Sequence, residues 1–295
     1  MRAGSVLIGV AFANLVWADV GCNAEDEEAL QVLRSVMPSG HAPSFAARAV
    51  VQTAVGSQQI MITRGMPDPD GNYSVQIPDH SSDCDNLSHR LLLEPVDSCG
   101  VARWYKFRVE RQPLGNDAAT VITALPKDVY RHGFQLVVDE KNAIVLRSTT
   151  FSGSSALENV ELRALSLGPE TEVNREGFRS AETSFEATQQ TAKESTYAWS
   201  LGWVPAGFEE ASSSDTAVAE VQTYTDGLST FSMFIEHPKG DIRVGEGVVN
   251  RGATLAYTRG LQTKDGAALV SVIGEIPINT ARMLVESIEW SVRAE

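Results

Sequence analysis

Arg103-Trp104-Tyr105-Lys106-Phe107-Arg108-Val109-Glu110 decides the architecture. Tyr105, Phe107 and Val109 point one way, while Lys106, Arg108 and Glu110 point the other. A period of two is that of a strand with one apolar and one wet face. The pattern spreads outward from there. Phe134, Leu136 and Val138 alternate with Gln135, Val137 and Asp139, and Ala143 to Thr149, then Val160, Leu162 and Ala164, continue the ladder. Turns fall at Leu114 to Asp117, Asp139 to Asn142 and Ser152-Gly153-Ser154. Strands joined this tightly predict a curved antiparallel sheet whose apolar face needs cover. Residues 25–37 are a candidate for that cover: Leu30, Leu33, Val36 and Met37 share one side of a helix with an acidic first turn, and Pro38 stops it. Ala49 to Val51, Ile60 to Ile62 and Tyr73 to Ile77 read as short strands, with Asp70-Gly71 as a turn.

Downstream the alternation breaks. Residues 168–196 are dominated by Glu, Thr, Ser, Gln and Ala, the composition of an interdomain linker. A second set of strands is predicted near 197–203, 217–225, 228–236, 252–260 and 267–273, with Thr225-Asp226-Gly227 as a tight hairpin turn. A helix closes the chain, with Asn279 as its N-cap after Pro277 and with Ala281, Leu284, Val285 and Ile288 on one face. The fold class is α+β: a large curved antiparallel sheet with helical cover, then a smaller α+β C-terminal domain. The expected division is a signal peptide over 1–18, an N-terminal domain over 19–167, a linker over 168–196 and a C-terminal domain over 197–295.

Composition narrows the function classes. The 295 residues carry 24 Lys and Arg against 38 Asp and Glu, a net charge of −14. A phosphate-tracking surface needs the opposite sign, so nucleic acid is not an expected partner. Arg2 followed by the uncharged Ala3 to Ala18 reads as a basic start, an apolar stretch and a cleavage site, the form of an export signal. The competing reading is a buried N-terminal helix. Export places the three cysteines in an oxidising compartment. Cys84 and Cys99 then bracket a disulfide loop, leaving Cys22 free or linked to another chain.

Neither a nucleophile elbow, a zinc-protease helix, a P-loop nor a dinucleotide fingerprint occurs, so the chain reads as a non-enzyme without cofactor or metal. His80, Asp83, Cys84, Asp85 and His89 are the best metal-ligand set, yet their spacing matches no common site and a solvated loop fits them better. Asp68 to Asn72 starts like a calcium loop, but Tyr73 and Asp79 stand where Gly and Glu belong, which makes it a hairpin turn. What remains is surface. Trp199, Trp203, Phe208, Tyr224 and Tyr257 concentrate aromatic area in the second domain, beside the cationic Arg251, Arg259 and Lys264. Each aromatic is either core or an anchor for a partner.

The residues also carry a resemblance. Leu201 to Phe208, Tyr224 to Glu236, Arg251 to Thr254, Tyr257 to Gly260 and Val272 to Pro277 resemble, in order and spacing, the C-terminal domain of the RseB/MucB family. Leu125 to Phe134, with Leu136 and Asp139, is similar to a strand pair of that family's large domain; residues 40–100 fit less well. The resemblance implies a periplasmic regulator of an envelope-stress sigma factor. Such a protein binds the periplasmic part of a transmembrane anti-sigma factor and shields it from proteolysis, with lipid or lipopolysaccharide as the releasing ligand and a homodimer as a further state. It implies a lipoprotein-carrier-like sheet around an apolar cavity, lined here by Tyr105, Phe107, Val109, Val121, Phe134, Leu136 and Val138, unless these simply pack as core. Partner contact falls to Trp199, Trp203, Phe208, Tyr224, Tyr257 and Arg259. The alternative on the same sheet is a periplasmic lipid or lipoprotein carrier.

Overall fold

The computed structural model describes residues 22–36, 45–64, 75–78, 99–114, 117–167, 178–181, 199–215, 219–238, 242–263 and 266–290. Helix α1 (Ala24–Val36) starts where Asn23 Oδ1 accepts the N–H groups of Glu25 at 3.0 Å and Asp26 at 2.9 Å. Glu25, Asp26 and Glu27 in its first turn face the positive end of the helix dipole. It runs one residue earlier at each end than the sequence pattern suggests. Strands β1 (Phe45–Thr53) and β2 (Gly56–Arg64) form a hairpin, β3 is Val75–Pro78, and a 3-10 turn over Val101–Arg103 leads into β4 (Tyr105–Leu114). Strands β5 (Asp117–Pro126), β6 (Gly133–Asp139), β7 (Ile144–Ser152) and β8 (Ser155–Leu167) follow as a meander. One antiparallel seven-stranded sheet results, in the order β2-β1-β8-β7-β6-β5-β4.

Register fixes which side chains share a face. Tyr105 opposes Pro126, Phe107 opposes Ala124 and Val109 opposes Ile122, while Ala124 opposes Phe134 and Ile122 opposes Leu136. Tyr105, Phe107, Phe134, Leu136 and Val138 are therefore buried on one face with Ile122, and Val109 packs at their margin. Leu30, Leu33 and Val36 of α1 belong to the same buried cluster. Each such side chain withdrawn from water stabilises the fold by about 1.5–3 kcal/mol. Val121 does not join them. It opposes Glu110 and Val137, so its parity puts it on the other face, in a small cluster with Ala119 and Val137. At this level of the sheet Ile122 faces the shared interior, in place of the expected Val121.

One further expectation is corrected. Cys99 is bonded to Cys22, 77 residues away in sequence, rather than to Cys84, which lies outside the described residues. Sequence proximity favours the near cysteine, but the capped start of α1 brings Cys22 to a Cα–Cα distance of 5.4 Å from Cys99. The stretch expected to be a linker contains β9 (Phe178–Ala181), which pairs antiparallel with β3. The expected signal segment, both metal-site candidates and Lys264 lie outside the described residues.

The C-terminal part is built on a second antiparallel sheet. Strands β10 (Trp199–Leu201), β11 (Glu209–Asp215), β12 (Glu220–Thr225), β13 (Thr230–Glu236), β14 (Gly245–Arg251), β15 (Thr254–Thr263) and β16 (Gly266–Gly274) are followed by helix α2 (Ile278–Glu286) and β17 (Ile288–Trp290). The order is β11-β12-β13-β16-β15-β14, while β10 pairs with β17. Alternation along β13, β15 and β16 buries Phe231, Met233, Ile235, Leu255, Tyr257, Val270 and Val272 in one core with Ala281, Leu284 and Val285 of α2. The polar strands β11 and β14 lack that alternation, which is why the sequence does not announce them. Pro277, not Asn279, takes the N-cap of α2 with an extended backbone.

Candidate functional site

Arg131 is the centre of the contact between the two sheets. It follows the turn after β5, where Asp128 Oδ1 accepts the Tyr130 N–H at 2.9 Å and holds the chain's direction. Asp128 also receives the Arg131 Nε–H, at 3.1 Å to both oxygens. The guanidinium then crosses to the other sheet: Nη1 donates to Asp226 Oδ2 at 2.6 Å, and Nη2 donates to the Ala206 carbonyl at 2.6 Å. Both members of the Arg131–Asp226 pair have fully buried side chains.

Asp226 is fixed as tightly from its own side. It sits in the β12–β13 turn, where Oδ1 accepts the N–H groups of Leu228 at 2.9 Å and Ser229 at 2.7 Å. From the first sheet, the Tyr105 hydroxyl donates to Oδ2 at 3.0 Å. Three rings surround the cation, with centroids 5.3 Å (Trp104), 5.6 Å (Tyr105) and 5.1 Å (Phe208) from the guanidinium carbon. Trp104 can lie here because position 207 is glycine. A Cβ there would run into the indole, and the backbone φ of +92° is one that glycine adopts freely.

Burial raises the Asp226 carboxyl above its ordinary range, and the Ser229 N–H, Arg131, the Leu228 N–H and the Tyr105 hydroxyl pull it back. Burial, then the Asp226 charge, lifts the Tyr105 phenol well above its ordinary value, so it remains a donor. The cluster is thus a satisfied buried charge network spanning two domains. Such a pair is costly to leave half-made, which makes it a registration device more than a source of net stability.

Further contacts extend the junction. Tyr130 meets Trp203 edge-on at 5.2 Å between ring centroids, and the Thr280 hydroxyl of α2 donates to the Tyr130 carbonyl at 3.1 Å. At the far end of the sheet, the buried Glu158 accepts the Ala253 N–H at 3.4 Å. Among the described residues, no group of three or more His, Cys, Asp and Glu is placed to hold a metal ion.

The chain as a whole has known relatives. Family models described as the MucB/RseB N-terminal domain and the MucB/RseB C-terminal domain match residues 80–191 and 193–289. The chain belongs to the MucB/RseB family. Sigma factor AlgU regulatory protein MucB of Pseudomonas aeruginosa is 31% identical over 210 residues, covering 68% of this chain and 65% of that protein. Sigma-E factor regulatory protein RseB of Haemophilus influenzae is 25% identical over 179 residues, covering 58% and 55%. The match therefore spans less than two thirds of the curated relatives' length. The fold is shared with the solved complex of Pseudomonas aeruginosa MucA/MucB, with a TM-score of 0.67 at 22% identity over 90% of this chain and 99% of that one.

Within this MucB/RseB-type chain, the residues expected to meet a partner are mostly interior. Trp199 is 3% exposed and its indole N–H donates to Glu220 Oε2 at 2.6 Å. Phe208 and Tyr224 pack on Phe231, each with ring centroids 5.2 Å apart. Tyr257 is fully buried, with only its hydroxyl reaching Glu246. Trp199, Tyr224 and Tyr257 are core because their strands alternate with the aromatic side facing inward, and Phe208, just before β11, packs into the same cluster. Trp203 is half-buried at the junction, and Arg259 is half-buried as well, 3.5 Å from Glu286. Tyr105, expected to line a cavity, instead serves the junction through its hydroxyl. Arg131, Asp226 and Gly207 went unassigned, although the motifs that contain them stand out in sequence. A turn residue and a buried ion-pair partner look alike until the second sheet is in place.

Proposed function

We propose that this protein is a periplasmic negative regulator of a sigma-E-type envelope stress response, which binds the periplasmic part of a transmembrane anti-sigma factor and protects it from proteolysis. The observation that carries the reading is the match of both MucB/RseB domain models along the chain, with a fold shared by MucB in a MucA/MucB complex. In this reading residues 1–18 direct export, residues 19–167 form a lipoprotein-carrier-like domain covered by α1, residues 168–196 connect, and residues 197–295 form the partner-binding domain. The buried junction suits such a role, because it makes one surface out of two domains. Lipid or lipopolysaccharide then acts by linkage: it lowers partner affinity only to the extent that it prefers the partner-free arrangement. A homodimer is a further state of the free protein.

The test is calorimetric titration of residues 19–295 with the periplasmic segment of the cognate anti-sigma factor, with and without lipopolysaccharide. Micromolar or tighter binding that lipopolysaccharide weakens is the expected result. Binding that ignores lipopolysaccharide removes the sensing step, and absence of binding removes the regulator.

A further inference from the structure

The two large sheets have four edges, and three of them are managed. On β4, the Val109 N–H donates to Glu25 Oε1 of α1 at 3.3 Å and Arg111 pairs with Glu28 at 2.8 Å. Strand β3 lies against β2. On β11, Glu209, Glu210 and Asp215 place charge along the strand, and a register shift between Glu210 and Ser212 bends it. Charge and bulges are the devices that keep an edge from pairing.

Strand β14, charged only at Glu246 and Arg251 towards its ends, has neither a bulge nor a cover among the described residues. Its register against β15 is unbroken from Gly245 to Arg251, and every one of its residues is exposed. Val248 and Val249 are 39% and 55% exposed at its centre. Alternation along an antiparallel ladder turns the N–H and C=O of every second β14 residue away from β15 and into solvent.

This open edge borders a cleft. Val55 of the β1–β2 turn and Leu157 of β8, with Asn250 of β14, Leu255 of β15, and Ile276 and Ile278 at the start of α2, border a space of about 400 Å³. Val55 is 91% exposed and Ile278 37%, so apolar side chains reach the mouth, although Thr53, His132, Ser152 and Asn250 also line the space. Asn250 belongs to β14 itself and opposes Leu255, while Val248 opposes the buried Tyr257. Side chains on that face of a strand added to β14 would therefore stand over the cleft. Charge narrows the occupant further. In a chain of net −14, this neighbourhood holds Arg243, Arg251, Arg259 and Arg282 against Glu158, Glu246 and Glu286.

We infer that β14 is an acceptor edge: an extended segment of the anti-sigma partner, with apolar residues at alternate positions and acidic flanks, adds to it as a seventh strand and sets its apolar side chains in the interdomain cleft. Main-chain hydrogen bonds then give affinity and the cleft gives selectivity. A segment seated this way touches both domains, so its affinity depends on the junction that fixes their spacing. The assignment rests on the proposed regulatory reading.

The test uses the full mature chain and the periplasmic segment of its cognate anti-sigma factor. Val248→Lys with Val249→Lys, at exposed positions, is expected to weaken binding about tenfold or more. Ser214→Lys on the guarded β11 edge is expected to leave affinity within about twofold. Hydrogen exchange supplies the direct readout: β14 amides that exchange quickly in the free protein become protected in the complex. Wild-type protein that binds while its β14 amides stay unprotected, or a double-lysine variant that binds normally, overturns the acceptor edge alone. Wild-type protein that binds no anti-sigma segment overturns both this assignment and the regulatory reading.

Discussion

Arg131 and Asp226 form an ion pair 2.6 Å long in which neither side chain is exposed to water, although one lies in the β5–β6 connection of the first sheet and the other in the β12–β13 turn of the second. Removing one partner leaves the other as an uncompensated buried charge. Arg131→Ala and Asp226→Ala are each expected to cost about 3–5 kcal/mol, whereas Arg131→Met with Asp226→Leu costs far less. Urea unfolding followed by circular dichroism reads both. The single variants are also expected to split one transition into two, as the sheets lose their shared contact. Equal losses in single and double variants would mean that the pair is not the unit.

Gly207 tests the same junction from the packing side. An alanine there needs a backbone φ of +92° and a Cβ in the space of the Trp104 ring. Gly207→Ala is expected to cost about 1–3 kcal/mol, by displacing Trp104 from the face of Arg131. Gly153→Ala is the control. Its φ is also positive, at +57°, but nothing lies within 4 Å of the added carbon. A Gly207 variant no less stable than the Gly153 variant would show that the indole yields freely.

Alkaline pH should loosen the fold through its buried phenols. Burial, then the Glu210 charge, pushes Tyr224 up to about 12, and burial lifts Tyr105 well above its ordinary value of 10.0. The unfolded chain ionises these groups near 10 while the folded chain holds their protons, so stability is full below that pH and falls as pH rises. Each such phenol contributes a decline of at most about 1.4 kcal/mol per pH unit. Urea midpoints measured between pH 9 and pH 11 should fall as pH rises, and Tyr224→Phe should flatten the decline. A midpoint that holds level across this range would mean that the phenols ionise in the folded state.

Much of the sheet is legible in the sequence, because Tyr105-Phe107-Val109 and Phe134-Leu136-Val138 carry the alternation that burial demands. Val121 is misjudged because neighbours in a strand alternate, so only the register tells whether Val121 or Ile122 faces inward. Strands β11 and β14 are missed because polar and glycine-rich edges have no apolar period to read. The site is the least legible part. Trp199, Phe208, Tyr224 and Tyr257 look like a binding surface by composition, since nothing local separates a buried aromatic from an exposed one. The pairing of Arg131 with Asp226, across 95 residues, has no local signal at all.

The disulfide gives the last prediction, because it too joins distant residues. Cys22 and Cys99 clamp the start of α1 to the 3-10 turn that precedes Trp104 and Tyr105. Closing a loop that long restrains the unfolded chain, and its loss is expected to cost about 2–5 kcal/mol. Cys22→Ser should therefore lower the thermal midpoint and disturb the junction, since the Lys127 ammonium donates to the Ala102 carbonyl at 2.6 Å within the clamped turn. Cys84→Ser should leave the midpoint unchanged. Peptide mapping under non-reducing conditions decides the pairing directly. A Cys84–Cys99 peptide in place of Cys22–Cys99 would reverse the order of the two variants and detach α1 from the turn that supports Arg131.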